Sequence, residues 1–306
     1  MLNMQEYEYT GKAMGTEYTI AIITDTKETA DLLSAAAIVE IHDYEKRFSR
    51  FLPHSELSQL NNEMHMKVSQ AFLEVVEKAY ELYEKTQGIF NPLIQVHRLG
   101  YDKDFSVLEK DAISDKTTTS QPVAIASYNI DFSSVIINKK ESTITLHPGQ
   151  QLDVGGFLKG YLAEKLCKKI KNSSPSIKGV IVNIGGDIYT QGTDSDGSHF
   201  VFTIYNPITG RDDISLPLYN QSLATSGTYK RTWNTSGIQR HHIIDVSGTQ
   251  NPKTTIVSAS VIHPDGAASE AYTKVCMTHG INASQFLDES FQFILIHKDG
   301  SITQQS

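Results

Sequence analysis

Cysteine is scarce in this chain: Cys167 and Cys276 are the two among 306 residues. Two are too few for a disulfide scaffold, and both stand in apolar, helix-patterned surroundings where inert buried thiols are expected. Tryptophan occurs once, as Trp233, and is expected to pack. No apolar run approaches the ~20 residues of a membrane span, which argues against stable membrane insertion. Basic residues are the minority, 27 Lys and Arg against 35 Asp and Glu, for a formal charge of −8. That balance speaks against nonspecific nucleic-acid binding, which needs a basic face. Internal repeats and low-complexity tracts are absent. The start, Met1-Leu2-Asn3-Met4-Gln5-Glu6, carries neither a signal peptide nor a lipoprotein cysteine. A cytoplasmic protein is expected, exported or lipid-anchored only if a leader has been removed.

What is present describes an ordinary globular protein: 39% hydrophobic and 20% charged residues, with length for one large domain or two modest ones. Glu6 to Ile23 alternates as a hairpin with Met14-Gly15-Thr16 at its turn. Glu28 to Phe48 and Ser69 to Thr86 have helical spacing, with Ser69 as N-cap and Gly88 just past the second helix. Residues 102–126 are polar and read as a variable loop. Tyr128 to Leu146 alternates around Asn138-Lys139-Lys140, and a helix is expected over Tyr161 to Ile170. Strands are expected at Val180–Ile184, Phe200–Tyr205, His241–Asp245, Val257–Ile262 and Phe291–His297, and a late helix at Ala267–His279. Strands and helices mixed without strict βαβ alternation argue an α+β fold.

The most informative segment is Leu152-Asp153-Val154-Gly155-Gly156-Phe157-Leu158-Lys159-Gly160-Tyr161. Glycines at a strand-to-helix turn admit a ligand or a neighbouring backbone, because no Cβ intervenes. The first helical amides are free donors that suit an anion such as a phosphate. The spacing is neither the dinucleotide fingerprint nor the P-loop, so a phosphorylated ligand and a plain packing turn both stand open. A second glycine–acid turn follows at Asn183-Ile184-Gly185-Gly186-Asp187. Two further polar clusters are Ser222-Leu223-Ala224-Thr225-Ser226-Gly227-Thr228-Tyr229-Lys230-Arg231 and His241-His242-Ile243-Ile244-Asp245-Val246-Ser247-Gly248.

Taken in order, these segments resemble the ApbE family, the FAD:protein FMN transferases. The resemblance extends to Ala13-Met14-Gly15-Thr16, to Phe48-Ser49-Arg50-Phe51 with Ser55-Glu56-Leu57-Ser58-Gln59-Leu60-Asn61, to Gly88-Ile89-Phe90-Asn91-Pro92, and to Val257-Ser258-Ala259-Ser260-Val261-Ile262. It spans positions 13 to about 280 and implies one large mixed α/β domain over 1–306, with the flavin in a cleft between two lobes. It further implies transfer of the FMN half of FAD to a Thr or Ser hydroxyl of an acceptor flavoprotein, releasing AMP, with Mg²⁺ at the pyrophosphate. A flavin-binding protein of the same fold without transfer activity, and an enzyme hydrolysing FAD to FMN and AMP, are the alternatives.

The resemblance carries flavin and adenosine contacts onto Met14, Phe51, Ile89, Phe90, Asn91, Asp153, Lys159 and Ile244, with Thr225 and Ser226 lining the phosphate cleft. Phe51 has an alternative reading as core packing beside Phe48, since aromatics are commonly buried. Lys159 begins a helix, where a cation is disfavoured by the dipole, so a specific partner is expected. A histidine base is expected, since histidine titrates near neutrality. His241 and His242 both offer one, and the resemblance alone favours His242, with Asp245 orienting it or the cofactor. Metal ligands are implied at Gly156, Glu270 and Thr273, oxygen donors of the kind magnesium takes.

The chain departs from the family pattern at several of these positions. Asn91, Glu164 and Thr228 stand where Asp is usual, Val246 where Pro is, and Phe51 where most members have Tyr. Aligned without gaps from Val257 to Gly280, Glu270 falls on the family's Asp and Lys274 on its usual Thr. An ammonium offers donors only and cannot ligate a metal. Lys274 either turns away and leaves weakened metal binding to Glu270, Thr273 and the Gly156 carbonyl, which is the expectation, or puts its Nζ in the metal's place. An exposed ion pair with Glu270 is the third reading.

Overall fold

In the computed structural model, which describes residues 4–96, 129–230, 232–235 and 238–305, the first element is a hairpin of β1 (Gln5–Ala13) and β2 (Thr16–Thr24). Its two turn residues, Met14 (φ 54°) and Gly15 (φ 69°), are both left-handed. Two-residue hairpin turns of the primed type require that conformation to match strand twist. The polar segment 102–126 lies outside the described residues.

Helix α1 (Lys27–Phe48) buries Ala30, Ser34, Ala37, Ile41, Tyr44 and Phe48, one face at alternating spacings of four and three. After α2 (Glu56–Glu63) and β3 (His65–Lys67), α3 (Gln70–Lys85) starts at Ser69, whose side chain accepts from the Phe72 amide. Strands β4 (Ile136–Asn138) and β5 (Thr143–Thr145) join β3 in a small sheet ordered β3-β5-β4.

Among the described residues, the central sheet has eight strands. From one edge it runs β1, β2, β6 (Gly179–Ile184), β7 (Asp187–Gly192), β10 (Ser222–Gly227), β13 (Ile256–His263), β14 (Gln292–His297) and β15 (Ile302–Gln305). Every neighbouring pair is antiparallel. Helices α4 (Leu158–Ser173) and α5 (Gly266–His279) pack on it. Their apolar residues join those of α1 and α3 in one continuous core. A second cluster, Ile204, Leu216, Leu218, Leu223, Val257, Ile262, Ile294 and Ile296, forms where the hairpin β8 (Phe200–Asn206) and β9 (Arg211–Leu218) covers the sheet. All eight residues of β13 are buried, as a strand covered on both faces requires.

Two glycines bring α4 and α5 together. A Cβ on Gly160 would stand 2.1 Å from the Gly266 carbonyl oxygen, and one on Gly266 2.3 Å from that of Gly160. Only residues without a side chain allow backbones to approach so closely.

The mixed α/β architecture agrees with the expectation; one strand is added to it and two local readings are corrected. The polar segment beginning at Ser222 forms β10, inside the central sheet. The expected strand His241–Asp245 does not form. Strand β12 (Ile238–His241) pairs with β11 (Thr232–Thr235) and ends at His241. There Asn251 Nδ2 donates to the carbonyls of His241 and Ile243, both at 2.6 Å, holding the chain in an irregular course. Helix α4 begins at Leu158, three residues before the expected start, so Lys159 and Gly160 lie in its first turn. Among the described residues, no helix is long and apolar enough to cross a membrane.

Candidate active site

The glycine turn before α4 is tied down from three sides. Asn61 clamps Leu152 by accepting from its amide (2.7 Å) and donating to its carbonyl (2.9 Å). The Asp153 amide donates to the Pro92 carbonyl (2.8 Å), which joins the turn to the 89–93 segment. The Asp153 carboxylate accepts from the Gly155 amide (2.9 Å) and pairs with the Arg50 guanidinium. Arg50 lies 4.8 Å from the centre of the Phe51 ring. Phe51 is 40% exposed, whereas Phe48 is buried and stacks on Phe72 at 5.1 Å. The packing reading therefore belongs to Phe48, and the Phe51 ring is accessible.

Gly156 marks where three segments converge. A Cβ there would lie 3.0 Å from the Phe90 ring and 3.9 Å from Lys274 Cε. Phe90 itself is buried, edge-on to Phe157 with centroids 5.9 Å apart. Asn91 braces the neighbouring backbone: its Nδ2 donates to the Ile130 carbonyl (2.8 Å) and its Oδ1 accepts from the Leu93 amide (2.9 Å). Met14, at the β1–β2 turn, donates its amide to Glu45 Oε1 (2.6 Å), and Met14 and Ile89 are each partly buried against the main core.

Beneath the turn lies a buried cluster of two carboxylates and two ammoniums. Lys159 Nζ pairs with Asp187 and, at 2.6 Å, with Glu270 Oε1. Glu270 Oε2 accepts from the Gly160 amide at 2.9 Å. Lys274 Nζ donates to the Glu270 carbonyl at 2.9 Å and lies 3.5 Å from Glu270 Oε1. Thr273 donates its hydroxyl to the same carbonyl (2.6 Å) and meets Ser226 Oγ at 2.6 Å. The free amide at the helix start, read in the sequence as an anion site, is thus occupied at Gly160 by the chain's own Glu270.

The four charges set one another's affinities for protons. Burial and the neighbouring Glu270 push the Asp187 carboxyl up to about 6, with Lys159 opposing. Burial would also raise Glu270, but Lys159, Lys274 and the Gly160 amide outweigh it and hold it below the ordinary carboxylate range. Burial would lower Lys159, yet Asp187 and Glu270 raise it overall. Lys274 is lowered, chiefly by burial and then by the Lys159 charge, against the pull of Glu270.

Thr225 and Ser226 are consecutive on β10 and face opposite ways, as strand neighbours do. Ser226 reaches the cluster through Thr273. Thr225 pairs instead with Ser260 across the sheet at 2.8 Å. His242 and Ile244 follow the end of β12. Asp245 holds its own turn: Oδ1 accepts from Ser247 N (3.0 Å) and Oδ2 from Gln250 Nε2 (2.8 Å). Its carboxylate thereby closes the 245–250 turn that follows His242.

The structure brings together Phe90, Asp153, Gly156, Lys159, Ser226, Glu270, Thr273 and Lys274 and adds two residues to which the sequence reading gave no binding role, Arg50 and Asp187. Arg50 and Asp187 both lie within motifs quoted above. Their signal was a charge at a turn, and their partners are 103 and 28 residues away.

An antiparallel sheet backed by two helices, with glycine turns converging on a buried lysine–carboxylate cluster, defines a mixed α/β protein of recognised architecture. The ApbE protein of Thermotoga maritima has a similar fold (TM-score 0.79, 18% identity, 99% of this chain and 97% of that one covered). So does the flavin transferase ApbE of Vibrio cholerae (TM-score 0.76, 19% identity, 99% and 97% covered). The model of the ApbE family matches residues 14–294, and the chain belongs to that family. Among curated relatives, an FAD:protein FMN transferase of Klebsiella pneumoniae is 22% identical over 289 residues, 92% of this chain and 85% of the relative. One of Vibrio cholerae is 22% identical over 302 residues, 94% and 86% respectively.

Proposed function

We propose that this protein transfers the FMN moiety of FAD to a Thr or Ser hydroxyl of an acceptor flavoprotein. The observation that carries the reading is the family match over residues 14–294, joined to a buried lysine–carboxylate cluster beneath the Gly155–Gly156 turn. In the reaction the acceptor oxygen attacks the phosphorus on the FMN side of the pyrophosphate. The bond from that phosphorus to the bridging oxygen breaks, and AMP leaves with the bonding electrons. The hydroxyl proton goes to a base, for which His242 is our assignment, a residue type suited to proton transfer near neutrality.

The residues assigned to FAD are Met14, Phe51, Ile89, Phe90, Asn91, Asp153, Ser226 and Ile244. Lys159 supports the site from behind by neutralising Asp187 and Glu270, and Thr225, turned to Ser260 on the other face of β10, is given no contact. Phe51 supplies an accessible ring for stacking on a planar group. Asp153 and Asn91 act through the backbone they hold, Asp153 from its pairing with Arg50 and Gly155. Asp245 supports the segment after His242 by closing its turn. Phosphoryl transfer depends mainly on positioning and electrostatics, so the rigidity of these supports bears on rate.

A divalent ion at Gly156, Glu270 and Thr273 is what the family resemblance implies. The residues present do not fit one. Both Glu270 oxygens already accept, from Lys159 and the Gly160 amide, and the Lys274 ammonium stands 3.5 Å from the first of them. No step is therefore assigned to a metal.

Intact-mass spectrometry of an acceptor protein incubated with FAD and this protein tests the reading. Addition of one FMN to the acceptor supports it. An unmodified acceptor with FAD converted to FMN and AMP indicates hydrolysis, and intact bound FAD indicates a flavin-binding protein.

A further inference from the structure

We propose that Lys274 is the phosphate-facing cation of this site, so that a lysine ammonium, and no divalent ion, meets the pyrophosphate of the nucleotide at the Gly155–Gly156 turn. The inference rests on the reading that the site takes FAD, and it adds what neutralises the charge there.

Position comes first. Lys274 follows Glu270 by four residues on α5, so the two side chains share a face. Its Cε lies 3.9 Å from where a Gly156 Cβ would stand. The missing Cβ keeps that edge of the turn open beside the ammonium. The Lys274 side chain is 22% exposed, whereas the Glu270 side chain behind it is 2% exposed. The cation is therefore the outer member of the pair, and its carboxylate neighbour is the sealed one.

Valence comes second. An ammonium has three donors. Among the described residues, the contacts of Lys274 Nζ are to Glu270 alone, its carbonyl at 2.9 Å and Oε1 at 3.5 Å. A donor is left for an outside acceptor. Lys159 is placed differently, its ammonium held between the carboxylates of Asp187 and Glu270. It neutralises the buried acids, and Lys274 is left to face the ligand.

Charge decides between lysine and metal. Magnesium takes oxygen donors at about 2.0–2.1 Å in near-octahedral geometry. The Glu270 oxygens already accept hydrogen bonds from Lys159 and Gly160, and two ammoniums flank them. A divalent ion entering there would meet like charge from both ammoniums. A phosphate oxygen approaching Lys274 meets opposite charge and an available donor, a charge-assisted bond of the stronger kind.

The test is equilibrium binding of FAD and of riboflavin, which lacks the phosphates, followed by flavin fluorescence in EDTA and in excess Mg²⁺. Wild-type protein should bind FAD with the same affinity in both. Lys274→Met should weaken FAD binding about tenfold or more and leave riboflavin binding within about twofold, while Lys274→Arg should retain FAD binding in EDTA. Thermal melts establish that the variants are folded, and the arginine variant carries the test if the methionine variant is not. Wild-type FAD binding that requires Mg²⁺, a folded Lys274→Met that binds FAD normally, or a folded Lys274→Arg that binds FAD only with Mg²⁺ overturns the inference alone. Failure of the wild-type protein to bind FAD under either condition overturns the underlying assignment of the site as well.

Discussion

Glu270, in the second turn of α5, accepts the backbone N–H of Gly160, in the first turn of α4, at 2.9 Å. The two residues are 110 positions apart, and the bond depends on the glycine contact one turn earlier, where Gly160 and Gly266 meet backbone to backbone. A carboxylate at a helix N-terminus is favoured by the dipole and the free amides, and here it also carries Lys159. This single side chain therefore links both helices to the charge cluster.

Removing it should be costly. Glu270→Ala leaves Lys159 facing Asp187 alone and the Gly160 amide without its acceptor. Breaking a buried ion pair from one side destabilises by about 3–5 kcal/mol. Urea denaturation of Glu270→Ala should show a loss of that order, and Glu270→Gln a smaller one, because an amide oxygen still accepts from Gly160. A loss below about 1 kcal/mol in the alanine variant would mean that the cluster contributes little to the fold.

The glycine contact makes its own forecast. Gly160→Ala would put a Cβ 2.1 Å from a backbone oxygen, which no rotamer change relieves. The helices must separate, at a cost of about 1–3 kcal/mol or more. Because Glu270 would move with α5, FAD binding should fall in the same variant. Gly186→Ala is the control: nothing lies within 4 Å of its Cβ position, and the strain there comes from φ 96° alone. Equal losses in the two variants would show that the close approach is not the cause.

Much of the architecture was legible because it is periodic. Helix α1 repeats apolar residues on one face, α3 carries its cap at Ser69, and the β1–β2 hairpin marks its turn with Met14-Gly15. Strand β10 was not legible, because a run of Ser and Thr reads as a solvated loop. Its hydroxyls are satisfied inside the protein, Ser222 by Ser269 at 2.7 Å and Ser226 by Thr273 at 2.6 Å. Polarity misleads wherever hydroxyls pair with one another out of water. The strand expected at His241–Asp245 failed for a complementary reason: Ile243-Ile244 looks strand-like, but Asn251, eight residues beyond Ile243, captures its backbone. The roles of Asp187 and Arg50 depend on partners distant in sequence, which no local pattern encodes.

Phe51 separates binding from stability. Its ring is 40% exposed, so Phe51→Ala should change the unfolding free energy by under about 1 kcal/mol. Loss of a stacking partner should nonetheless weaken FAD binding about tenfold. Flavin-fluorescence titration beside a denaturation curve checks both; unchanged affinity would place the planar ring elsewhere.

His241 gives the pH dependence. Burial, with Lys298 and Arg240 nearby, pushes its imidazole from an ordinary value of about 6.5 down to about 4. The folded-state value lies below the unfolded one, so the unfolded chain takes up the proton first. The contribution to stability is complete above about pH 6.5 and is lost as pH falls toward about 4. The urea midpoint should decline over that window, and His241→Gln should flatten this part of the decline. An identical slope in wild type and variant would contradict the assignment.

The most direct test of FMN transfer is the release of AMP from FAD, measured by chromatography with and without an acceptor protein, for the wild-type protein and for His242→Ala. Release that requires the acceptor, in amounts equal to the flavin bound covalently, and that is abolished in His242→Ala while FAD still binds, is the predicted result. AMP release at the same rate without acceptor, or none under any condition, would contradict it.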